Sequence, residues 1–175
     1  PDANLKALLQ GVLGLNAEDE IVYDLTVIPQ LATFTTLDGT GQQISDLTGL
    51  ECFVQLTELT LVSNSLSDIS ALSSLRQLTT LDLSGNAITD VTPLASLISL
   101  NQLTLNSNQI SDIVSLASLT KLETFSATFN TIADLGAVAG WVTLQTLELV
   151  ENSVSSLEPL VGLSNLQVLN VENNA

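Results

Sequence analysis

Apolar residues return at fixed places along this chain. One column reads Phe34, Leu56, Leu78, Leu100, Leu122, Leu144 and Leu166. The next reads Leu37, Leu59, Leu81, Leu103, Phe125, Leu147 and Leu169, and a third Gly39, Leu61, Leu83, Leu105, Ala127, Leu149 and Val171. Four more columns begin at Ile44, Leu47, Leu50 and Phe53, all with a spacing of 22 residues. The L-x-L portion alternates with period two, the mark of a short strand with one buried face. A strand that short cannot bury its face alone. The pattern therefore predicts seven strands stacked in parallel, ~4.8 Å apart, over a continuous aliphatic core.

Between the strand columns and the later apolar columns lies a polar one. It holds Asn64, Asn86, Asn108, Asn130, Asn152 and Asn174, with Gln42 one period earlier. After each strand the chain must turn sharply, and the turn leaves inward-pointing N–H and C=O groups without strand partners. A carboxamide offers both donors and an acceptor. The asparagines are thus expected to form a structural ladder from coil to coil, with Gln42 serving more loosely. Four residues after each asparagine comes an aspartate column, Asp46, Asp68, Asp90, Asp112 and Asp134, ending in Ser156. Pro93 and Pro159 share the column of Ala71, Ser115 and Ala137, which suits a first helical turn. A short 3₁₀ or α turn is expected there, with Ser70 and Thr92 capping it and the aspartates bonding local backbone. Calcium on the aspartate row is the alternative, although the Gly-Asp nonapeptide of a calcium β-roll is absent.

Residues 1–20, PDANLKALLQGVLGLNAEDE, break the period. Leu5, Leu8, Leu9, Val12 and Leu13 recur at helical spacing, and Asp2 or Asn4 is placed to cap the start. This helix is expected to cover the first hydrophobic cross-section, with EIVYDL at residues 20–25 leading into the first coil. The organisation read from the sequence is a cap and lead-in over 1–33, then about six and a half repeats over 34–175 without a closing cap. Leu169 and Val171 are expected to face an open end, which a continuing chain or an end-to-end dimer would cover.

The unit L-x-x-L-x-L-x-x-N-x-I resembles the leucine-rich repeat signature. More closely, NQISDIVSLASLTKLETF and NAITDVTPLASLISLNQLTL are similar to the 22-residue repeats of bacterial internalin-type proteins. The start, PDANLKALLQGVLGL, resembles the capped opening of secreted members. The resemblance implies a right-handed α/β repeat solenoid, with parallel strands on the concave face, 3₁₀ or α turns on the convex face and an N-terminal helical cap. It also implies an extracellular or cell-surface recognition module, and it transfers no ligand-contacting residue.

The outward strand positions form the default binding surface of such a solenoid. Candidate partner-binding residues there are Glu58, Asp82, Gln102, Thr104, Asn106, Thr128, Phe129, Glu148, Val150, Glu151 and Glu172. Glu148, Glu151 and Glu172 suggest an acidic patch for a basic partner. Phe129 has two readings: an exposed partner anchor, or a ring tucked inward to make up for the small Ala127. Trp141 is expected in the core and Cys52 as a half-buried filler.

Composition narrows the function. Hydrophobic residues make up 45% and aromatics 3%, so the core is aliphatic. The net charge is −16, with Lys6, Arg76 and Lys121 the whole basic complement. Such a surface repels nucleic acid, and the sequence has no apolar run of the ~20 residues that span a bilayer. There is no histidine, and Cys52 has no evident activating base. DGTG at 38–41 lacks the following helix and lysine of a phosphate loop. The reading is a non-enzymatic, cofactor-free module that binds a protein or glycan on its concave face. A structural spacer and an intracellular regulatory adaptor are the alternatives.

Overall fold

The structure, a computed structural model, describes residues 2–13 and 33–175. Among them run one helix, α1 (Ala3–Leu13), and seven three-residue strands. The strands are β1 (Thr36–Asp38), β2 (Glu58–Thr60), β3 (Thr80–Asp82), β4 (Gln102–Thr104), β5 (Thr124–Ser126), β6 (Thr146–Glu148) and β7 (Val168–Asn170). They form a single parallel sheet in sequential order, each paired in register with the next: Leu37 with Leu59, Leu59 with Leu81, and so on to Leu147 with Leu169. The ladder continues past the strand ends, as in Leu61 N–H to the Asp82 carbonyl at 2.8 Å. The expected leucine-rich-repeat solenoid is the observed fold; coil n is named here for its strand βn.

The return limb of each coil is a 3₁₀ turn, for example Ser70–Ser74, Thr92–Ser96 and Val114–Ser118. The apolar spacing explains the choice. Ile69, Leu72, Leu75 and Leu78 are three residues apart, and a 3₁₀ helix has 3.0 residues per turn. All four therefore point inward, and each is at most 1% exposed. Their backbones are linked i to i−3, from Leu72 N–H to the Ile69 carbonyl through Leu78 N–H to the Leu75 carbonyl, at 3.0 Å each. Pro93 and Pro159 stand in the first turn, as expected.

Ser70 and Thr92 do not cap these turns with their side chains; the flanking cap residues are Ile69 and Val91. The cap is the aspartate column. Asp46, Asp68, Asp90, Asp112 and Asp134 each accept, through Oδ1, the N–H two residues ahead at 2.7–2.8 Å. In coil 6 Ser156 Oγ takes over, accepting from Glu158 N–H at 3.3 Å.

The asparagine ladder is complete. Asn86 Oδ1 accepts Leu66 N–H (3.0 Å), and its Nδ2 donates to the Leu61 carbonyl (3.0 Å) of the previous coil and the Leu83 carbonyl (2.9 Å) of its own. Asn64, Asn108, Asn130, Asn152 and Asn174 repeat the same set. Gln42 does not take part. It is exposed, and its Nε2 reaches the Thr40 carbonyl two residues back. The extra methylene carries its amide past the inner turn.

At the N-terminal end Asp2, not Asn4, caps α1. Its Oδ1 accepts Asn4 N–H (2.7 Å), while Oδ2 accepts the Ser45 N–H (2.9 Å) and hydroxyl (2.7 Å). One carboxylate thus starts the helix and fastens it to coil 1. Leu5 and Leu9 are fully buried and Leu8 packs against the core, but Val12 is exposed. The segment at 20–25 lies outside the described residues. At the other end all of β7 is exposed, Leu169 included.

Coil 5 departs from the pattern, and its core is repacked by rings. Phe125 and Trp141 meet edge to face with centroids 5.0 Å apart, and the buried indole N–H donates to the Leu116 carbonyl at 3.2 Å. Both rings are fully buried beside Ala127. Phe129 is therefore not needed inside. Cys52 is half-buried and packs against the core.

Candidate functional site: the strand face

Each strand turns its central residue inward and its two flanking residues outward, because side chains alternate along a strand. In-register pairing then aligns the outward residues in straight columns across the coils. Of the candidates, Glu58, Gln102, Phe129, Glu151 and Glu172 are exposed, and Asp82, Thr104, Asn106, Thr128, Glu148 and Val150 are half-buried. No Lys or Arg stands in these columns.

The structure draws four of the outward residues together in coils 4 to 6. Asn106 Oδ1 accepts from both Thr128 N–H (2.8 Å) and the Ser126 hydroxyl (2.8 Å). The same hydroxyl lies 3.1 Å from Glu148 Oε2. Ser126 is only 4% exposed. It ends strand β5 at a position flanking the inward Phe125 and is not among the candidates. Its signal was size, since a small Ser sits where neighbouring coils carry Thr104 and Glu148.

Other outward residues are engaged locally. Asp82 Oδ1 accepts both the N–H (2.9 Å) and the hydroxyl (2.6 Å) of Ser84. Asp38 accepts Thr40 N–H at 2.9 Å, and hydrogen bonding by Thr40 lowers its pKa. Glu58 lies in coil 2, remote along the stack from the coil 4 to 6 group. The three C-terminal glutamates are not drawn into one cluster. Glu148 turns toward coil 5, whereas Glu151 Oε1 accepts the Asn173 side-chain amide of coil 7 at 2.8 Å.

Phe129 is on the surface, 57% exposed. It occupies the left-handed position that ends each strand segment, with φ +55°. Gly85, Ser63, Ser107, Glu151 and Asn173 hold the same place and conformation in other coils. Its side chain is therefore one of a row along the rim of the strand face, with Glu151 next in line. Phe129 N–H donates to the Val150 carbonyl (2.8 Å) and Asn130 N–H to the Glu151 carbonyl (3.2 Å), which fixes the two coils against each other.

On the outer side, shallow clefts separate neighbouring coils; one of about 410 Å³ is bordered by Asp134, Gly136, Ala139, Glu158 and Pro159. The aspartates there are occupied as turn caps. Hydrogen bonds from Thr48, Ser70 and Thr92 hold Asp46, Asp68 and Asp90 below the usual carboxylate range. Among the described residues no three His, Cys, Asp or Glu side chains converge to hold a metal ion, and no helix is long and apolar enough to cross a membrane.

Residues 54–96 match the family model described as leucine rich repeats (2 copies). No curated protein matches the chain by sequence. Among solved structures, internalin C2 of Listeria monocytogenes is similar over 99% of this chain and 85% of its own, at 30% identity and a TM-score of 0.76. An internalin of the same organism, InlF, is 27% identical over 99% of this chain and 70% of its own, with a TM-score of 0.53. The ectodomain of the Arabidopsis thaliana receptor kinase GASSHO1/SCHENGEN3, solved in complex with Casparian strip integrity factor 2, is 25% identical over 81% of this chain and 18% of its own, with a TM-score of 0.72.

Proposed function

The chain belongs to the internalin-type leucine-rich repeat proteins, and from that premise we propose that its concave strand face is a recognition surface for a protein ligand. One observation carries the reading. Seven in-register strands hold their outward side chains in fixed columns, and those of coils 4 to 6 are further cross-linked through Asn106, Ser126, Thr128 and Glu148. A surface ordered before binding loses little entropy when a partner docks. Glycan readers stack sugars on aromatic rings, and Phe129 is the one large exposed aromatic among the described residues, so a protein is the better fit. The work of the module is binding, without a chemical step. In this reading residues 1–33 form the cap and 34–175 the reader. The family resemblance supports a place outside the cell or on its surface.

A photo-crosslinking residue placed at Thr104 on the strand face, or at Ala117 on the outer face, tests this. With a soluble protein extract, adducts are expected at Thr104 and not at Ala117. The protein captured, once purified, should bind Thr104→Arg at least about tenfold more weakly. Adducts at Ala117 alone, or full affinity for Thr104→Arg, overturn the proposal.

A further inference from the structure

We propose that the rim of coils 5 to 7, at Phe129 and Glu151, is a subsite for an arginine side chain presented by the protein partner. The inference rests on the strand face being the recognition surface, and it names what that surface reads at this point. Phe129 exposes its ring, and a left-handed backbone holds it out from the core. The core it leaves is already filled by Phe125 and Trp141. The next residue along the rim is Glu151, and successive coils are about 4.8 Å apart. The ring and the carboxylate therefore stand on neighbouring coils of one rim, and a guanidinium laid on the ring has the breadth to reach toward the next coil.

Two details favour a planar, multi-donor cation over a point charge. Glu151 Oε1 is already held by the Asn173 amide at 2.8 Å, so the carboxylate is oriented before any partner arrives. A guanidinium can lie flat on the ring while directing N–H groups sideways at an oriented carboxylate. Nearby, the single Ser126 hydroxyl proton lies between Asn106 Oδ1 at 2.8 Å and Glu148 Oε2 at 3.1 Å, and it can satisfy only one of them fully. The carboxylate at the longer distance keeps acceptor capacity for a donor from outside. The surrounding charge agrees: the chain carries −16, and no basic side chain stands in the strand columns to compete.

The test uses the four phenylalanines of the chain as probes, replaced uniformly by 4-fluorophenylalanine. Three octapeptides of one Gly-X design are titrated, with X as arginine, lysine or citrulline. Phe53 and Phe125 are fully buried, and the Phe129 resonance is identified by its loss in Phe129→Leu. Only the Phe129 signal should move, with arginine binding more tightly than lysine and citrulline inert. Phe129→Leu and Glu151→Gln should each weaken the arginine peptide about five- to tenfold. Glu158→Gln, on the outer side, should not weaken it. An unmoved Phe129 signal, or equal weakening by Glu158→Gln, overturns the subsite and leaves only general attraction to an acidic protein. In that outcome crosslinking at Thr104 still decides the strand-face reading on its own. If instead both face-specific crosslinking and the peptide response fail, the recognition surface itself is wrong.

Discussion

Leu8 of the N-terminal helix occupies the space that a side chain at residue 39 would need. A Cβ on Gly39 would lie 2.9 Å from Leu8 Cδ2 and 2.9 Å from Leu61 Cδ2. Every later coil has a larger residue in that column: Leu61, Leu83, Leu105, Ala127, Leu149 and Val171. At the first coil it is the helix that supplies the aliphatic group the glycine lacks. Leu8→Ala should cost about 2–4 kcal/mol through the cavity it leaves. Gly39→Leu should cost at least as much by overpacking. The double variant should recover part of the loss, because the new leucine fills the vacated space. Additive losses in a denaturant-unfolding cycle would show that the two positions do not share one volume.

The ladder asparagines should be among the costliest polar positions to change. Asn130 is 9% exposed, and its removal strands the Ile110 N–H inside the coil and takes from the Leu105 carbonyl one of its two donors, leaving it Asn108. Asn130→Ala is expected to destabilise by about 1–3 kcal/mol. Gln42→Ala, exposed and outside the ladder, should change stability by less than about 0.5 kcal/mol. Equal effects from the two substitutions would contradict the assigned hydrogen bonds.

Trp141 reports on the repacked coil directly. It is the single tryptophan, fully buried, with its N–H on the Leu116 carbonyl. Folded-state fluorescence should be blue-shifted and should move to the red in one step with unfolding. Trp141→Phe should cost about 1–3 kcal/mol, mainly for the space the smaller ring leaves, since the Leu116 carbonyl keeps its bond from Leu119 N–H. Emission already typical of a solvent-exposed indole in the folded protein would contradict its burial.

Phe129→Gly should separate stability from binding. A left-handed conformation costs a residue with a Cβ about 1–2 kcal/mol, and Gly85 already stands at the equivalent place with φ +68°. The change is expected to leave the melting temperature level or raise it, while the arginine-peptide response disappears. A clear fall in melting temperature would mean that the ring supports the fold.

Stability should fall off in acid. Hydrogen bonds from the Thr40 hydroxyl and N–H lower the pKa of Asp38, and those of Thr48, Ser70 and Thr92 do the same for Asp46, Asp68 and Asp90. At Asp2 burial pushes the pKa up, and the hydrogen bonds from Ser45, Asn4 and Leu5 outweigh it. A carboxyl group with a lowered folded-state pKa stabilises the fold above its unfolded value of about 3.9 and loses that contribution as pH drops through the folded value. From pH 7 toward about 4.5 the melting temperature should hold or rise, as part of the −16 charge is neutralised. Below about pH 4 it should drop. An Asp46→Asn, Asp68→Asn, Asp90→Asn variant should show a shallower acid limb, and an identical limb would remove these caps as the cause.

The periodic features were legible because each residue there answers to the same surroundings in every coil. That holds for the strands, the inward leucines and the asparagine ladder, where one misreading would have broken six others. The misses fall where the period is local or broken. Ser70 and Thr92 looked like caps by residue type, but a 3₁₀ turn entered through Ile69 or Val91 places the acceptor two residues back, on Asp68 or Asp90. Gln42 shared a column with the asparagines yet is one methylene too long. Gly39 announced a neighbour outside the repeat, although its column alone did not name Leu8. At the candidate site the columns were readable, but not that Ser126 would sit buried between Asn106 and Glu148. Nor was the direction of Phe129, because an aromatic beside Ala127 satisfies an inward or an outward reading until the positions of Phe125 and Trp141 are known.

The asparagine bridges all point one way. Each side chain grips the backbone of the turn made before it, and none reaches forward. A chain leaving the ribosome from its amino end would therefore bring each new clasp to a seat already built. Assembly can proceed like a ratchet in the order of synthesis, whereas unravelling from the carboxyl end needs only one clasp released at a time.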